Sequence, residues 1–293
     1  MDKVDAHLHV FAKLSQEFPR QTGSLAPAER EATIEELMDC MAEAGIDRAV
    51  LIDMGGPKLE QHAYVTHCVR RWPGRFVATG LVDLADPDPP ARLRELVQQT
   101  GIRGIRLGHL GDPAARAAAD LDAYGLFRVA EELCLNINVY TGIGQVPCIG
   151  LLTQDFPRVV VSLDHLGISP STPSTVDRWG RPWFGDEPVP PPSHAAVLEL
   201  ARYPNVHVKV SGEYAFSKEP YPYRDLRPVV EDLYRAFGPR RLMWCTDFPW
   251  IVEEPGYAKL AQMIDHHLPG LPAPERELIM GGNALRVWWG EGT

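Results

Sequence analysis

Eight times along these 293 residues a short apolar run is followed by a segment with helical spacing, and that repeated order leaves few ways to fold. The runs are Lys3 to Phe11, Asp47 to Met54, Arg75 to Leu84, Ile102 to Leu110, Leu135 to Thr141, Val159 to Leu166, Asn205 to Ser211 and Arg241 to Asp247. The helical patterns that follow them are Thr33 to Ala44, Lys58 to Arg71, Pro89 to Gln99, Leu121 to Leu133, Val146 to Phe156, Ser193 to Arg202, Tyr223 to Phe237 and Gly256 to Leu268. Gly45 ends the first helix, Pro73 stops the second, and Pro89 stands at a helix start, where its missing N–H costs little. Strands that alternate with helices pair in parallel, and eight of them can close on themselves. The expected fold is α/β, a (β/α)8 TIM barrel, with residues 1–293 as one domain.

Two stretches exceed the repeating unit. Ile168 to Pro192, after strand six, carries seven prolines together with Trp179, Trp183 and Phe184, too rigid and aromatic for a linker. It reads as an ordered lid over the barrel mouth. Ala273 to Met280 and Asn283 to Trp289 read as extra C-terminal helices that close the lower or outer side of the barrel.

Charge and composition narrow the partners. With 29 basic against 39 acidic residues the net charge is −10, and no basic cluster is longer than Arg70-Arg71 or Arg240-Arg241, so nucleic acid is not an expected partner. No apolar run approaches membrane-spanning length, and the first strand begins almost at Met1, which leaves no room for a signal peptide. A cytoplasmic protein acting on a small molecule is expected, and a homo-oligomer is compatible with the sequence. The five cysteines (Cys40, Cys68, Cys134, Cys148, Cys245) are scattered and odd in number, and read as reduced thiols.

Strand one carries the chemistry. In Lys3 to Phe11 the apolar Val4, Ala6, Leu8 and Val10 alternate with Asp5, His7 and His9, which predicts one apolar face and one face with two imidazoles and a carboxylate behind them. Polar groups in register on a buried strand need partners, and two histidines at i and i+2 can bind one cation. A pair of hydrogen-bonded core histidines is the plainer alternative. Barrel enzymes gather their chemistry at the C-terminal ends of the strands. The polar residues there are His7, His9, Arg106, His109, Asn138, Tyr140, His165, Ser211, Glu213 just beyond, and Asp247. Arg106 and His109 have opposite parity, so a regular strand cannot aim both inward unless Gly108 permits a bulge or an early strand end. Lys209 either reaches inward or packs its stem in the barrel wall with its ammonium near solvent. Cys245 shares the parity of Asp247 but has no paired base, and reads as core filler.

At these residues the chain resembles the amidohydrolase superfamily, in its branch of lactonases, decarboxylases and hydratases. The resemblance runs from "DAHLHVF" through "RGIRL", "VSLDHLG", "NVHVKVSG" and "RLMWCTDFPW" to "IMGGNALRVW". It implies that His7, His9, His165 and Asp247 bind a divalent metal, zinc by donor type, and that Asp247 and His165 are catalytic. Metal-binding members typically add a strand-five histidine, where this chain has Asn138 and Tyr140. His7, His9 and Asp247 alone could hold zinc with solvent. The class of 2-pyrone-4,6-dicarboxylate lactonases, similar in "RGIR" and in the histidine of "DHLG", works without a required metal.

The implied activity is hydrolysis of a small, anionic lactone or cyclic ester. Asp247 would activate water, and His7, His9 and His165 would stabilise the oxyanion, directly or through the metal. Arg106 would hold a substrate carboxylate, unless it only closes the rim as an ion pair, with His109, Tyr140, Trp183 and Trp250 completing the substrate site. The alternatives are a metal-dependent, non-oxidative decarboxylase of an aromatic or unsaturated acid, and a barrel that binds a small molecule without catalysis.

Overall fold

The computed structural model describes residues 1–291. Its barrel strands are β1 (Val4–Leu8), β2 (Arg48–Ile52), β3 (Phe76–Gly80), β4 (Gly104–Leu107), β5 (Asn136–Val139), β6 (Val161–Leu163), β7 (Val206–Val210) and β8 (Leu242–Trp244). Each pairs in parallel with the next in chain order, and helices between them form the outer layer. This is the expected (β/α)8 barrel. The strands are shorter than the apolar runs because the ends of each run continue into loops without ladder bonds. Among the described residues no helix is long and apolar enough to cross a membrane.

The seam between β8 and β1 is closed from beyond the end of β8. Asp247 N–H donates to the His7 carbonyl (2.9 Å), and His9 N–H to the Phe248 carbonyl (2.7 Å). The Asp5 carboxylate adds to this seam, accepting from Thr246 N–H (3.0 Å), the Thr246 hydroxyl (2.5 Å) and the Tyr257 hydroxyl (2.9 Å).

The uniform alternation expected of β1 does not hold. Asp5 pairs with Ala49 and Leu8 with Leu51, so three steps on β1 match two on β2, and a bulge lies between. Val4 and Ala6 therefore pack inside the barrel with Val50, Ile52, Val77, Met243 and Cys245, while His7 and His9, on the other parity, turn into the mouth. Asp5 is thereby separated from the histidine face and serves the seam. Cys245 is core filler, as its lack of a paired base suggests.

The C-terminal turns close the lower end. Ala273–Glu277 is α-helical, and Leu278–Gly282 and Leu285–Trp289 have wider π-type turns. Ala284, Leu285 and Trp288 pack on the apolar residues inside β1, β2, β3 and β8. A side chain at Gly104 would come within 3.1 Å of the Trp288 ring and 2.5 Å of the Asn136 carbonyl, which explains the glycine.

The segment after β6 is a lid with a short hairpin, Thr175–Val176 paired with Pro182–Trp183. The buried Glu187 carboxylate ties its two ends, accepting from Ser171 N–H (2.9 Å) and from Thr172 N–H and hydroxyl (both 3.1 Å). Arg30 donates to the Gly180 carbonyl at the hairpin (2.7 Å) and lies over the Trp250 ring, and Phe184 stacks on Phe216 at 4.7 Å.

Candidate active site

His7, His9, His165 and Asp247 meet at the C-terminal mouth. Asp247 Oδ1 lies 3.3 Å from His9 Nε2 and 3.6 Å from His7 Nε2, and Oδ2 lies 3.9 Å from His165 Nδ1. His165 and Asp247 both have positive φ, 52° and 63°, a conformation that side-chain-bearing residues rarely adopt. It turns His165 into the site although its parity on β6 would face it outward. The surroundings over-determine such backbone, and it clusters where chemistry is done. Gly212, at φ 77°, passes close beneath, since a side chain there would lie 2.8 Å from His165 Nδ1.

Each imidazole is oriented by a second contact. His9 Nδ1 donates to the Ile52 carbonyl (2.8 Å), which orients Nε2 toward Asp247. His165 lies with Nδ1 3.1 Å from the Ser211 hydroxyl and Nε2 3.5 Å from an Arg106 nitrogen. His7 Nδ1 lies 3.2 Å from Asp164 Oδ1 and 3.3 Å from Lys209 Nζ. Asp164 also accepts from Arg106 Nε (2.9 Å) and pairs with Lys209 (3.1 Å), and Lys209 donates to Asn138 Oδ1 (2.5 Å).

The electrostatics follow from burial and these partners. Burial holds His7 well below the usual imidazole value and lowers His165 as well, so both are neutral near pH 7. Burial opposes ionisation of Asp247, but His165, His9 and His7 hold its carboxyl well below the usual carboxylate range. Asp164 is likewise opposed by burial and kept low by Lys209, His7 and Arg106. Tyr214 is pushed well above its ordinary value by burial and Asp247, so its hydroxyl stays a donor, 2.6 Å from Asp247 Oδ2.

Two neutral imidazoles and an ionised carboxylate are the ligand forms that zinc requires. His7, His165 and Asp247 each offer a donor atom within 4.8 Å of the others, and His7 Nε2 and Asp247 Oδ1 are buried without a hydrogen-bond partner. These residues fit a divalent ion. His9 Nε2, 3.3 Å from Asp247 Oδ1, lies beside that trio.

Above them is a chamber of about 160 Å3, lined by Arg106, Tyr140, His165, Tyr214, Asp247 and Trp250, and roofed by Pro182 and Phe184 of the lid. Two expected substrate residues are outside it. His109 is exposed and pairs with Asp122 (3.3 Å), because β4 ends at Leu107 and His109 lies in the loop beyond it. Trp183 is 42% exposed and faces a second cavity on the outer side of the lid. Adjacent hairpin residues face opposite sides, so Pro182 turns in, Trp183 turns out, and Phe184 is the lid aromatic inside.

Two site residues, Asp164 and Tyr214, were not singled out from the sequence, and for Lys209 the sequence left an inward and a wall-packed reading open. Asp164 has the inward parity of Ser162 in β6, a signal overshadowed by His165 beside it. Lys209 shares parity with His207 and Ser211, and of its two readings the inward one is realised, with the side chain fully buried. Tyr214 lies on the short helix Glu213–Phe216 after β7, where no strand period applies.

Comparisons with known proteins bear on the family and the fold. A family model described as Amidohydrolase matches residues 4–289. An L-fucono-1,5-lactonase of Burkholderia ambifaria is 27% identical over 260 residues, 84% of this chain and 80% of that protein. A 4-sulfomuconolactone hydrolase of Hydrogenophaga intermedia is 24% identical, over 84% of this chain and 74% of that one. Among solved structures, an amidohydrolase of Burkholderia multivorans with bound zinc shares the fold, with a TM-score of 0.73 at 20% identity over 99% of each chain.

Proposed function

The chain belongs to the amidohydrolase family and is a hydrolase, and from that premise we propose that it opens the ring of a small lactone bearing an anionic group. One observation carries the reading. An ionised Asp247, with Oδ2 held by Tyr214 and Oδ1 unpartnered among three imidazoles, faces a small roofed chamber with Arg106 on its wall. The naming of two relatives as lactone hydrolases supports it.

Asp247 Oδ1 takes a proton from water as the water oxygen bonds to the lactone carbonyl carbon. The same carboxyl returns that proton to the ring oxygen as the ring C–O bond breaks, leaving a hydroxy acid. His7, His165 and Asp247 would hold a divalent metal, zinc by donor set, with His9 beside them. A bound ion supplies Lewis-acid chemistry, making water more acidic and polarising a carbonyl. That help matters because a carboxylate held so low is a weak base for ordinary water. Arg106, fixed through Nε by Asp164 and seated 5.1 Å from the Tyr140 ring, turns its remaining N–H groups to a substrate carboxylate or comparable anion. A volume of about 160 Å3 suits one small ring, well below drug-sized ligands. Decarboxylation by chelation would need an additional ligand to hold the ion firmly, and on β5 Asn138 is instead engaged by Lys209.

Acid release from a panel of small lactones, with and without anionic substituents, tests the proposal, with carbon dioxide monitored in parallel on aromatic acids. Anionic lactones should be opened without carbon dioxide release. On the best of them, Asp247→Asn should lower turnover by about 10²–10⁴-fold. Near-normal turnover by the folded variant, or decarboxylation without lactone opening, would overturn it.

A further inference from the structure

Lys209 is a fully buried cation inside a barrel whose mouth is built to receive another. Its Nζ contacts three groups: Asn138 Oδ1 at 2.5 Å, Asp164 Oδ1 at 3.1 Å and His7 Nδ1 at 3.3 Å. The last contact conflicts with metal binding by His7. An ammonium can only donate, so bonding to Nδ1 requires that nitrogen to be bare and puts the imidazole proton on Nε2, aimed at Asp247 Oδ1 3.6 Å away. Asp164 Oδ1, 3.2 Å from the same Nδ1, favours the reverse, with the proton on Nδ1 and a lone pair on Nε2. Only the second form lets His7 ligate through Nε2. The same heavy atoms therefore accommodate two hydrogen arrangements, one suited to an empty site and one to a loaded site.

We propose that Lys209 is a positioning residue that sets how tightly the site holds a metal ion, by competing with Asp164 for Nδ1 of His7 and by fixing a positive charge close to the donors. With the lysine in place, metal uptake must move the His7 proton from Nε2 to Nδ1 and bring a divalent ion near a unit positive charge, and both weaken binding. The same ammonium supplies positive charge to the site before any metal arrives. This inference rests on the reading that His7 and Asp247 hold a cation, and it is separate from the identity of the substrate.

Zinc titration against a competing chelator, on the full chain first freed of metal, provides the test. Lys209→Met and Lys209→Gln should each tighten the zinc Kd by about 10–100-fold, the scale on which groups behind metal ligands act. A residue that merely supported the fold would give the opposite sign. Equal or weaker affinity in variants that keep the wild-type circular dichroism spectrum overturns the proposal, as does the absence of zinc uptake by wild type and both variants. Lactone hydrolysis by the same preparations reports separately on the proposed function. Should neither variant fold, imidazole 15N spectra of wild type decide, with His7 assigned by the signal lost in His7→Gln. A metal-free protein with the His7 proton on Nε2, moving to Nδ1 on adding zinc, supports the proposal. A proton already on Nδ1 without metal overturns it.

Discussion

The two halves of the barrel interior are built differently. Inside β1, β2, β3 and β8 a layer of apolar side chains, Val4, Ala6, Val50, Ile52, Val77, Met243 and Cys245, is packed from below by Trp288. Inside β4 to β7 the corresponding set includes Arg106, Asn138, Asp164 and Lys209, joined by direct hydrogen bonds and ion pairs. A barrel interior is ordinarily filled by layers of branched apolar side chains, and only the first half follows that pattern. In the polar half each buried charge is instead matched by a partner. Buried charges are tolerated when they have partners and become costly when one partner is removed. The catalytic candidates sit where the halves meet at the mouth, with His7 and Asp247 from the apolar strands facing the charged network.

That contrast is open to attack by mutation. Asp164→Asn removes the anion shared by Lys209, Arg106 and His7, and leaves two cations without their counter-charge. It should cost about 3–5 kcal/mol of stability, read from the urea midpoint. A loss below about 1 kcal/mol would mean that the polar half is not held by charge pairing.

Glu213, just beyond β7, is the unpaired counterpart of Asp164. It is buried with Oε1 unpartnered, 3.8 Å from a His267 nitrogen that also lacks a partner, and burial pushes its carboxyl up to about 7. A raised acid pKa means that the folded state holds the proton more tightly than the unfolded chain. Stability attributable to that proton is present below about 4.5 and is lost as pH rises toward about 7. Glu213→Gln should therefore be more stable than wild type at pH 8, by on the order of 3 kcal/mol, with the advantage shrinking toward pH 5. A difference that does not vary with pH would remove the unpaired acid as its cause.

The smallest effect is expected in the apolar half. Ile52→Val deletes one methylene from a packed layer and should cost about 0.5–1.5 kcal/mol. The Ile52 carbonyl that orients His9 is unchanged, so turnover should stay within about twofold of wild type. A large loss of turnover without a matching loss of stability would show that the apolar half participates in the chemistry.

The fold was legible because its evidence is local. A two-residue period marks each strand, a helical period marks each helix, and their eightfold alternation fixes a parallel, closing sheet. The gathering of His7, His9, His165 and Asp247 was legible for the same reason, since strand ends in a barrel share one face, and the amidohydrolase resemblance pointed to the same residues. Aim was less legible. Strict parity misassigned Asp5, because a bulge in β1 depends on how β2 and β8 pair with it, and a single strand does not encode its neighbours. Parity would also have turned His165 outward, and only its left-handed backbone returns it to the site. Trp183 and Phe184 were equivalent aromatics in one proline-rich segment, until the hairpin register turned one outward and left the other inside. Lys209 needed more than parity, because what makes its charge tolerable is an aspartate 45 residues earlier, just past β6, and an asparagine on β5. The sequence by itself determined which elements form and which end carries the chemistry, because periodicity and strand ends are properties of short segments. Tertiary structure alone decided the direction of each side chain and the partners of each buried charge, because bulges, turns and ion pairs depend on residues distant in sequence.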